Sequence, residues 1–160
     1  MKLIDVNDYD VVNYKKASMF LIFPNCTFKC GRKECQNSAL AGHRTKEIAV
    51  DALTEHYMNN PLVDAVVCGG LEPLDSWSEL QAFIMYFRYY SPDEIVIYTG
   101  YNEDEIQDKI EWLRLYENII IKFGRYVPNQ ESHFDELLGV ELSSPNQYAK
   151  AYNVMEGYCE

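Results

Sequence analysis

A chain of 160 residues, 48% of them hydrophobic, is the length of one domain and can bury a core without disulfide staples. Its 14 Lys/Arg against 25 Asp/Glu leave a net charge of −11, which argues against the basic surface that general nucleic-acid binding needs. No stretch approaches the ~18 apolar residues of a membrane span, Met1-Lys2-Leu3-Ile4-Asp5 is not a signal peptide, and five cysteines, three of them crowded together, fit a reducing cytoplasm.

The first seventeen residues are weakly periodic and read as an edge strand. The apolar run at 19–23 predicts the first buried strand. It leads through Pro24 into a loop holding Cys26, Cys30 and Cys35. Thiolates are soft ligands, and three and then four intervening residues let neighbouring sulfurs converge on one inorganic centre. A closed structural site normally uses four protein ligands, so three leave a position open for a substrate or cofactor.

A helix is predicted over 46–58, with Ile48, Ala52, Leu53 and Tyr57 on one face. Strand 63–68 follows and ends in Gly69-Gly70-Leu71-Glu72-Pro73. The next helix, 78–89, turns Leu80, Phe83, Ile84 and Phe87 inward, and Ser76 with Glu79 matches a capping box. Strand 94–98 gives way to Thr99-Gly100-Tyr101. Asn102 and the acids Glu103-Asp104-Glu105 then open a third helix carrying Ile106, Ile110 and Leu113. Strand 118–123 ends at Gly124-Arg125, and the last thirty-odd residues read as an irregular cap.

This alternation predicts an α/β fold with right-handed crossovers and a mainly parallel sheet, in one domain over 1–160 with its core at about 17–147. The thiols, the glycine pair, the Thr-Gly-Tyr turn and Arg125 then share one edge of the sheet. Ligands of parallel α/β proteins bind beyond the carboxyl ends of the strands.

Both a zinc site with His43 as fourth ligand and an iron–sulfur site satisfy the thiol spacing. Gly69-Gly70 permits close approach of backbone to a ligand, and Glu72 is placed to hold an ammonium group; the same residues also make an ordinary turn. Lys122 and Arg125 are candidates to meet a carboxylate, a hydroxyl or a partner chain. Cys68 reads as a small buried hydrophobe, Cys159 as a free thiol without a role, and Tyr86, Tyr89 and Tyr90 as an aromatic surface. Residues 1–50 carry 8 Lys/Arg and 5 Asp/Glu, net +3, and residues 51–160 carry 6 and 20, net −14. Lys15, Lys16, Lys29, Arg32, Lys33, Arg44 and Lys46 therefore read either as a basic rim around the thiols, suited to an acidic electron donor, or as a solvated loop.

Taken in order, Phe23-Pro24-Asn25-Cys26, Cys35-Gln36-Asn37-Ser38, Val67-Cys68-Gly69-Gly70-Leu71-Glu72-Pro73, Tyr98-Thr99-Gly100-Tyr101, Ile121-Lys122-Phe123-Gly124-Arg125-Tyr126 and Ser144-Pro145-Asn146-Gln147 resemble the radical S-adenosylmethionine (SAM) superfamily. Within it they resemble the activating proteins of anaerobic ribonucleoside-triphosphate reductases. The resemblance implies a truncated, open radical-SAM-type (β/α) partial barrel and one [4Fe-4S] cluster on Cys26, Cys30 and Cys35. It implies that Gly69, Gly70, Glu72, Thr99 and Gly100 bind SAM, which chelates the fourth iron. One electron from flavodoxin or ferredoxin would cleave SAM to a 5′-deoxyadenosyl radical, which takes a hydrogen from a glycine of the large reductase subunit.

Three positions depart from the superfamily pattern. Four residues, Gly31 to Glu34, separate the second and third cysteines where two are usual. Glu34 stands where an aromatic side chain usually meets adenine, with Phe28 as a substitute, and Leu71 precedes the acid. Two rival readings remain beside the activase: a non-enzymatic zinc or iron–sulfur module, and a radical SAM enzyme with another target.

Overall fold

The computed structural model describes residues 1–29 and 31–152. A short strand β1 (Lys2–Leu3) precedes β2 (Asp5–Asp10), which runs antiparallel to β3 (Ser18–Phe23). After the cysteine loop come β4 (Lys46–Glu47), α1 (Val50–Met58), β5 (Ala65–Gly70), α2 (Trp77–Phe87), β6 (Glu94–Tyr98), α3 (Gln107–Leu113) and β7 (Ile119–Phe123). The chain closes on a hairpin, β8 (His133–Asp135) with β9 (Val140–Leu142), and on β10 (Tyr148–Tyr152).

Six strands form one sheet in the order β10-β7-β6-β5-β3-β2. The pairs β3–β5, β5–β6 and β6–β7 are parallel, and only the two outer pairs are antiparallel. Val- and Ile-rich runs favour this arrangement because both faces are covered. Period two sends Val66, Cys68, Ile95, Ile97, Ile119 and Ile121 to the face where α1, α2 and α3 pack, against Leu53, Leu80, Phe83, Phe87, Ile110 and Leu113. Ala65, Val67, Val96 and Ile120 face the opposite way and meet Tyr14 and the hairpin residues Leu138 and Leu142. Each such burial contributes about 1.5–3 kcal/mol for a large aliphatic side chain.

The four central strands lie where the apolar runs place them, and Leu80, Phe83, Ile84 and Phe87 are buried as expected. Three local expectations are corrected. The helix expected from residue 46 begins at Val50, because Lys46 and Glu47 pair with Leu3 and Lys2. Ser76 does not cap α2: its hydroxyl accepts from Asn25 Nδ2 at 2.9 Å, and the Glu79 carboxylate lies 3.9 Å from the Met1 ammonium. The expected irregular cap contains a sheet strand, β10, antiparallel to β7. The first residues do supply the edge strand β2. Among the described residues no helix is long and apolar enough to cross a membrane.

Candidate functional site

The carboxyl ends of β3, β5, β6 and β7 open into a cavity of about 370 Å³. That is within the ~300–1,000 Å³ usual for a small-molecule site. The sheet contributes Phe20, Gly69, Tyr98 and Lys122 to its wall; the loops add Cys26, Cys35, Glu72, Thr99, Gly100 and Arg125. The hairpin strand β9 and Asn13 form the far side.

Backbone and side-chain hydrogen bonds pin the start of the thiol loop to the turn after β5. Leu71 N–H donates to the Phe23 carbonyl at 3.1 Å and Glu72 N–H to the Asn25 carbonyl at 2.8 Å. Thr27 N–H donates to Asp75 Oδ2 at 2.9 Å, and the Tyr101 hydroxyl to Asp75 Oδ1 at 2.7 Å. Cys26 is thus fixed between two anchored neighbours. Further along, Gly31 N–H reaches the Phe28 carbonyl at 2.9 Å, Cys35 N–H reaches the Gly31 carbonyl at 3.1 Å, and Asn37 Nδ2 donates to the Gly70 carbonyl at 2.8 Å.

Gly70 adopts φ +85°, and a Cβ there would sit 2.7 Å from Ile22 Cγ2 and 3.0 Å from the Phe23 nitrogen. At Gly69 a Cβ would come within 2.8 Å of the Phe20 ring. Packing against β3 alone therefore demands the glycine pair. Gly100 is different: a Cβ there meets only ordinary contacts, Arg125 Cγ at 3.6 Å and Glu72 Oε2 at 3.7 Å.

Glu72 is buried, its Oε1 accepting from Leu74 N–H at 3.1 Å and its Oε2 from Gly100 N–H at 2.8 Å. Burial pushes its pKa up to about 7, although the Gly100, Leu74 and Thr99 donors favour the charged form. Each carboxylate oxygen has a second lone pair, so Glu72 can accept one more donor from the cavity. Lys122 is buried too: burial draws its pKa down to about 8, opposed by the Glu72 charge. Its Nζ donates to the Gly124 carbonyl at 3.0 Å and lies 5.8 Å from the centroid of the Tyr98 ring. One wall of the cavity thus carries a buried acid and a buried cation. Arg125 pairs with Glu105 at 2.8 Å, which holds the Glu105 carboxyl down to about 2.

Every described residue expected at the site lines this one cavity: Cys26, Cys35, Gly69, Gly70, Glu72, Thr99 and Gly100. Cys30 and Cys159 lie outside the described residues. Cys68 is buried in the sheet, as read from the sequence, and its thiol is pushed upward by desolvation. The basic rim is smaller than expected, since Lys16 pairs with Glu94 at the opposite end of the sheet and Lys46 pairs with Asp5. The sequence reading left Lys122 without a fixed role and missed Tyr98 and Asn13 as wall residues.

A family model described as a 4Fe-4S single cluster domain matches residues 15–147. The chain belongs to that family. No curated protein and no solved structure matches it. The matched span of the 4Fe-4S single cluster domain runs from just before β3 to the end of the cavity wall at Gln147, and the chain is an iron–sulfur protein on that footing.

The donor set suits such a group. Cys26 and Cys35 line the same cavity, and Phe28 N–H donates to Cys26 Sγ at 3.2 Å, the kind of contact that stabilises cluster thiolates. Among the described residues no three Cys, His, Asp or Glu side chains gather into a metal site. Cys30 is the thiol between the two. His43 is exposed and absent from the cavity wall.

Proposed function

We propose that this iron–sulfur protein is a SAM-cleaving activating enzyme, of the type that installs a glycyl radical on anaerobic ribonucleoside-triphosphate reductase. The observation that carries this reading is the shared cavity. Two thiols, a buried carboxylate and a buried ammonium line the same space at the carboxyl ends of parallel strands. The sheet, with its helices on one face, is read as an open partial (β/α) barrel.

Cys26, Cys30 and Cys35 would hold a [4Fe-4S] cluster with one iron left for a ligand. When bound, that cluster supplies the electron that cleaves SAM to methionine and a 5′-deoxyadenosyl radical. The chain's own residues bind and orient. Glu72 accepts the ammonium of the methionyl group on its remaining lone pairs. Thr99 and Gly100 keep that carboxylate in place from the neighbouring loop. Phe20 and Tyr98 wall off water from the polar end, and the side bounded by Asn13 and β9 admits the glycine segment of the partner.

Anaerobic reconstitution with iron and sulfide, followed by EPR of the reduced protein with and without SAM, tests the reading. A [4Fe-4S]⁺ signal that changes on adding SAM is expected, together with 5′-deoxyadenosine as product. A cluster signal indifferent to SAM would instead favour a non-enzymatic electron-transfer module.

A further inference from the structure

The outer side of α2 and the turn that ends it leave Met85, Tyr89 and Tyr90 52%, 89% and 55% exposed. Tyr89 and Tyr90 N–H reach back to the Tyr86 and Phe87 carbonyls, so the helical path continues past Phe87. Met85 and Tyr89, four residues apart, share one stripe, and Tyr86 and Tyr90 form the next. The rings of that second pair have centroids 5.2 Å apart and are tilted by 38°, with their hydroxyls 3.4 Å from each other. α1 packs alongside α2 and brings two acids to the pair. The Tyr86 hydroxyl is pushed above its ordinary pKa first by the Tyr90 contact and in smaller part by the Asp51 and Glu55 carboxylates. Both acids are exposed, and neither is in a salt bridge among the described residues. From Glu47 to Phe87 the sequence holds seven Asp/Glu and no Lys or Arg. The cations flanking that stretch are engaged elsewhere: Lys46 pairs with Asp5 at 2.7 Å, and the Arg88 guanidinium donates to the carbonyls of Ser91, Asp93, Glu117 and Asn118.

We propose that this tyrosine-rich, acid-bordered face of α1 and α2 docks an arginine-presenting surface of a basic partner protein. A surface rich in Tyr and Met and devoid of Lys has the composition of an interface and not of an ordinary solvated face. Its charge selects the partner. Nucleic acid and anionic lipid are repelled, and a second copy of the chain placed two-fold on the same face would set Asp51 and Glu55 against their own equivalents. A guanidinium suits both parts of the surface: it lies flat on a tyrosine ring and forks onto a carboxylate, whereas an ammonium is a point charge without that fork. The helices cover one face of the sheet, and the cavity residues Phe20, Tyr98 and Val140 pack on the other, so a partner held here leaves the cavity open. The inference depends on neither the iron–sulfur assignment nor SAM cleavage.

The test is calorimetric titration of the full chain with octa-arginine and, for comparison, octa-lysine, at low and moderate salt. Octa-arginine is expected to bind more tightly than octa-lysine. Tyr89→Ala and Tyr90→Ala are each expected to raise its Kd about two- to fivefold, the span that an exposed cation–π contact supplies. Tyr89 is almost fully in water, so its removal leaves the fold intact. Glu55→Gln is expected to raise Kd at low salt and to matter less as salt is added. Tyr9→Ala removes a tyrosine that is 53% exposed on β2, outside the α1–α2 face, and is expected to leave Kd at wild type. Equal affinity for the two peptides, with no response to Tyr89→Ala or Tyr90→Ala, would reduce the binding to bulk attraction between opposite charges and overturn the docking face. A loss in Tyr9→Ala as large as in Tyr89→Ala and Tyr90→Ala would overturn it as well.

Discussion

The Glu72 carboxylate accepts the Gly100 amide at 2.8 Å, so one buried side chain joins the turn after β5 to the loop after β6. Its other oxygen caps the short turn at Pro73–Ser76 through Leu74 N–H. Hydrogen bonds to a charged group contribute about 1.5–3 kcal/mol each, offset here by the cost of burying the carboxylate. Glu72→Ala is expected to lower unfolding stability by about 2 kcal/mol in urea titrations and to weaken SAM binding. Iron content should stay near wild type, because the contacts that anchor the thiol loop at this residue come from its backbone. Iron loss in proportion to the SAM defect would make Glu72 a cluster-positioning residue instead.

Opposed pH slopes follow from the two buried charges. Folded Glu72 titrates at about 7 against an ordinary 4.5, so its contribution to stability is fully present below about pH 4.5 and is lost as pH rises through 7. Lys122 titrates at about 8 against 10.5, so its contribution is present above about 10.5 and is lost as pH falls through 8. Urea titrations at pH 5, 7.5 and 10 separate them. Glu72→Gln should reduce the loss between pH 5 and 7.5, and Lys122→Met should reduce the gain between 7.5 and 10. Parallel profiles for wild type and both variants would mean that neither group is desolvated in solution.

The central strands were legible because four Val/Ile-rich runs of strand length alternate with helical patterns, and turn chemistry separates them. The outer pieces were not. Tyr148-Ala149-Lys150-Ala151-Tyr152 has no apolar run, and β8 and β9 hold only three residues each. Their strand state comes from pairing with β7 and with each other, which local pattern does not encode. Ser76 and Glu79 have capping-box spacing, yet tertiary partners, Asn25 and the N-terminus, take both side chains. At the site, residues in the loops after the strands could be placed from topology alone. Lys122 could not, because its position beside Tyr98 depends on the β6–β7 register.

The glycines divide by what surrounds them. Gly70→Ala forces a side chain at φ +85° into Ile22 and the Phe23 backbone, and a loss of at least ~1–3 kcal/mol is expected from thermal or urea unfolding. Gly100→Ala meets no obstruction in the fold. Its methyl group sits between Glu72 and Arg125 on the cavity wall, so SAM affinity should fall while stability changes by less than about 0.5 kcal/mol. Unchanged affinity in Gly100→Ala would remove that residue from the ligand surface.

Each of Cys26→Ala, Cys30→Ala and Cys35→Ala should abolish stable cluster incorporation, measured as iron and sulfide per chain after anaerobic reconstitution. Cys68→Ser offers the contrast. It places a hydroxyl among buried sheet residues, at a cost of about 1–3 kcal/mol, and leaves iron content unchanged. Full iron retention in Cys35→Ala would show that the ligand set is wrong.

Asp75 is the link that tests how firmly the thiol loop is held. Its Oδ2 receives Thr27 N–H, one residue beyond Cys26, and its Oδ1 receives the Tyr101 hydroxyl, so a single carboxylate connects three loops. Asp75→Ala leaves the Thr27 amide without its partner, whereas Tyr101→Phe spares that bond and removes the hydroxyl's contacts with Asp75 and the Thr27 side chain. An anchored ligand re-forms a broken metal bond more readily than a loose one, because the sulfur stays near the iron. The rate of iron release to a chelator under anaerobic conditions should therefore rise several-fold in Asp75→Ala and much less in Tyr101→Phe. Equal rates in the two variants would show that the Thr27 amide contact does not restrain Cys26.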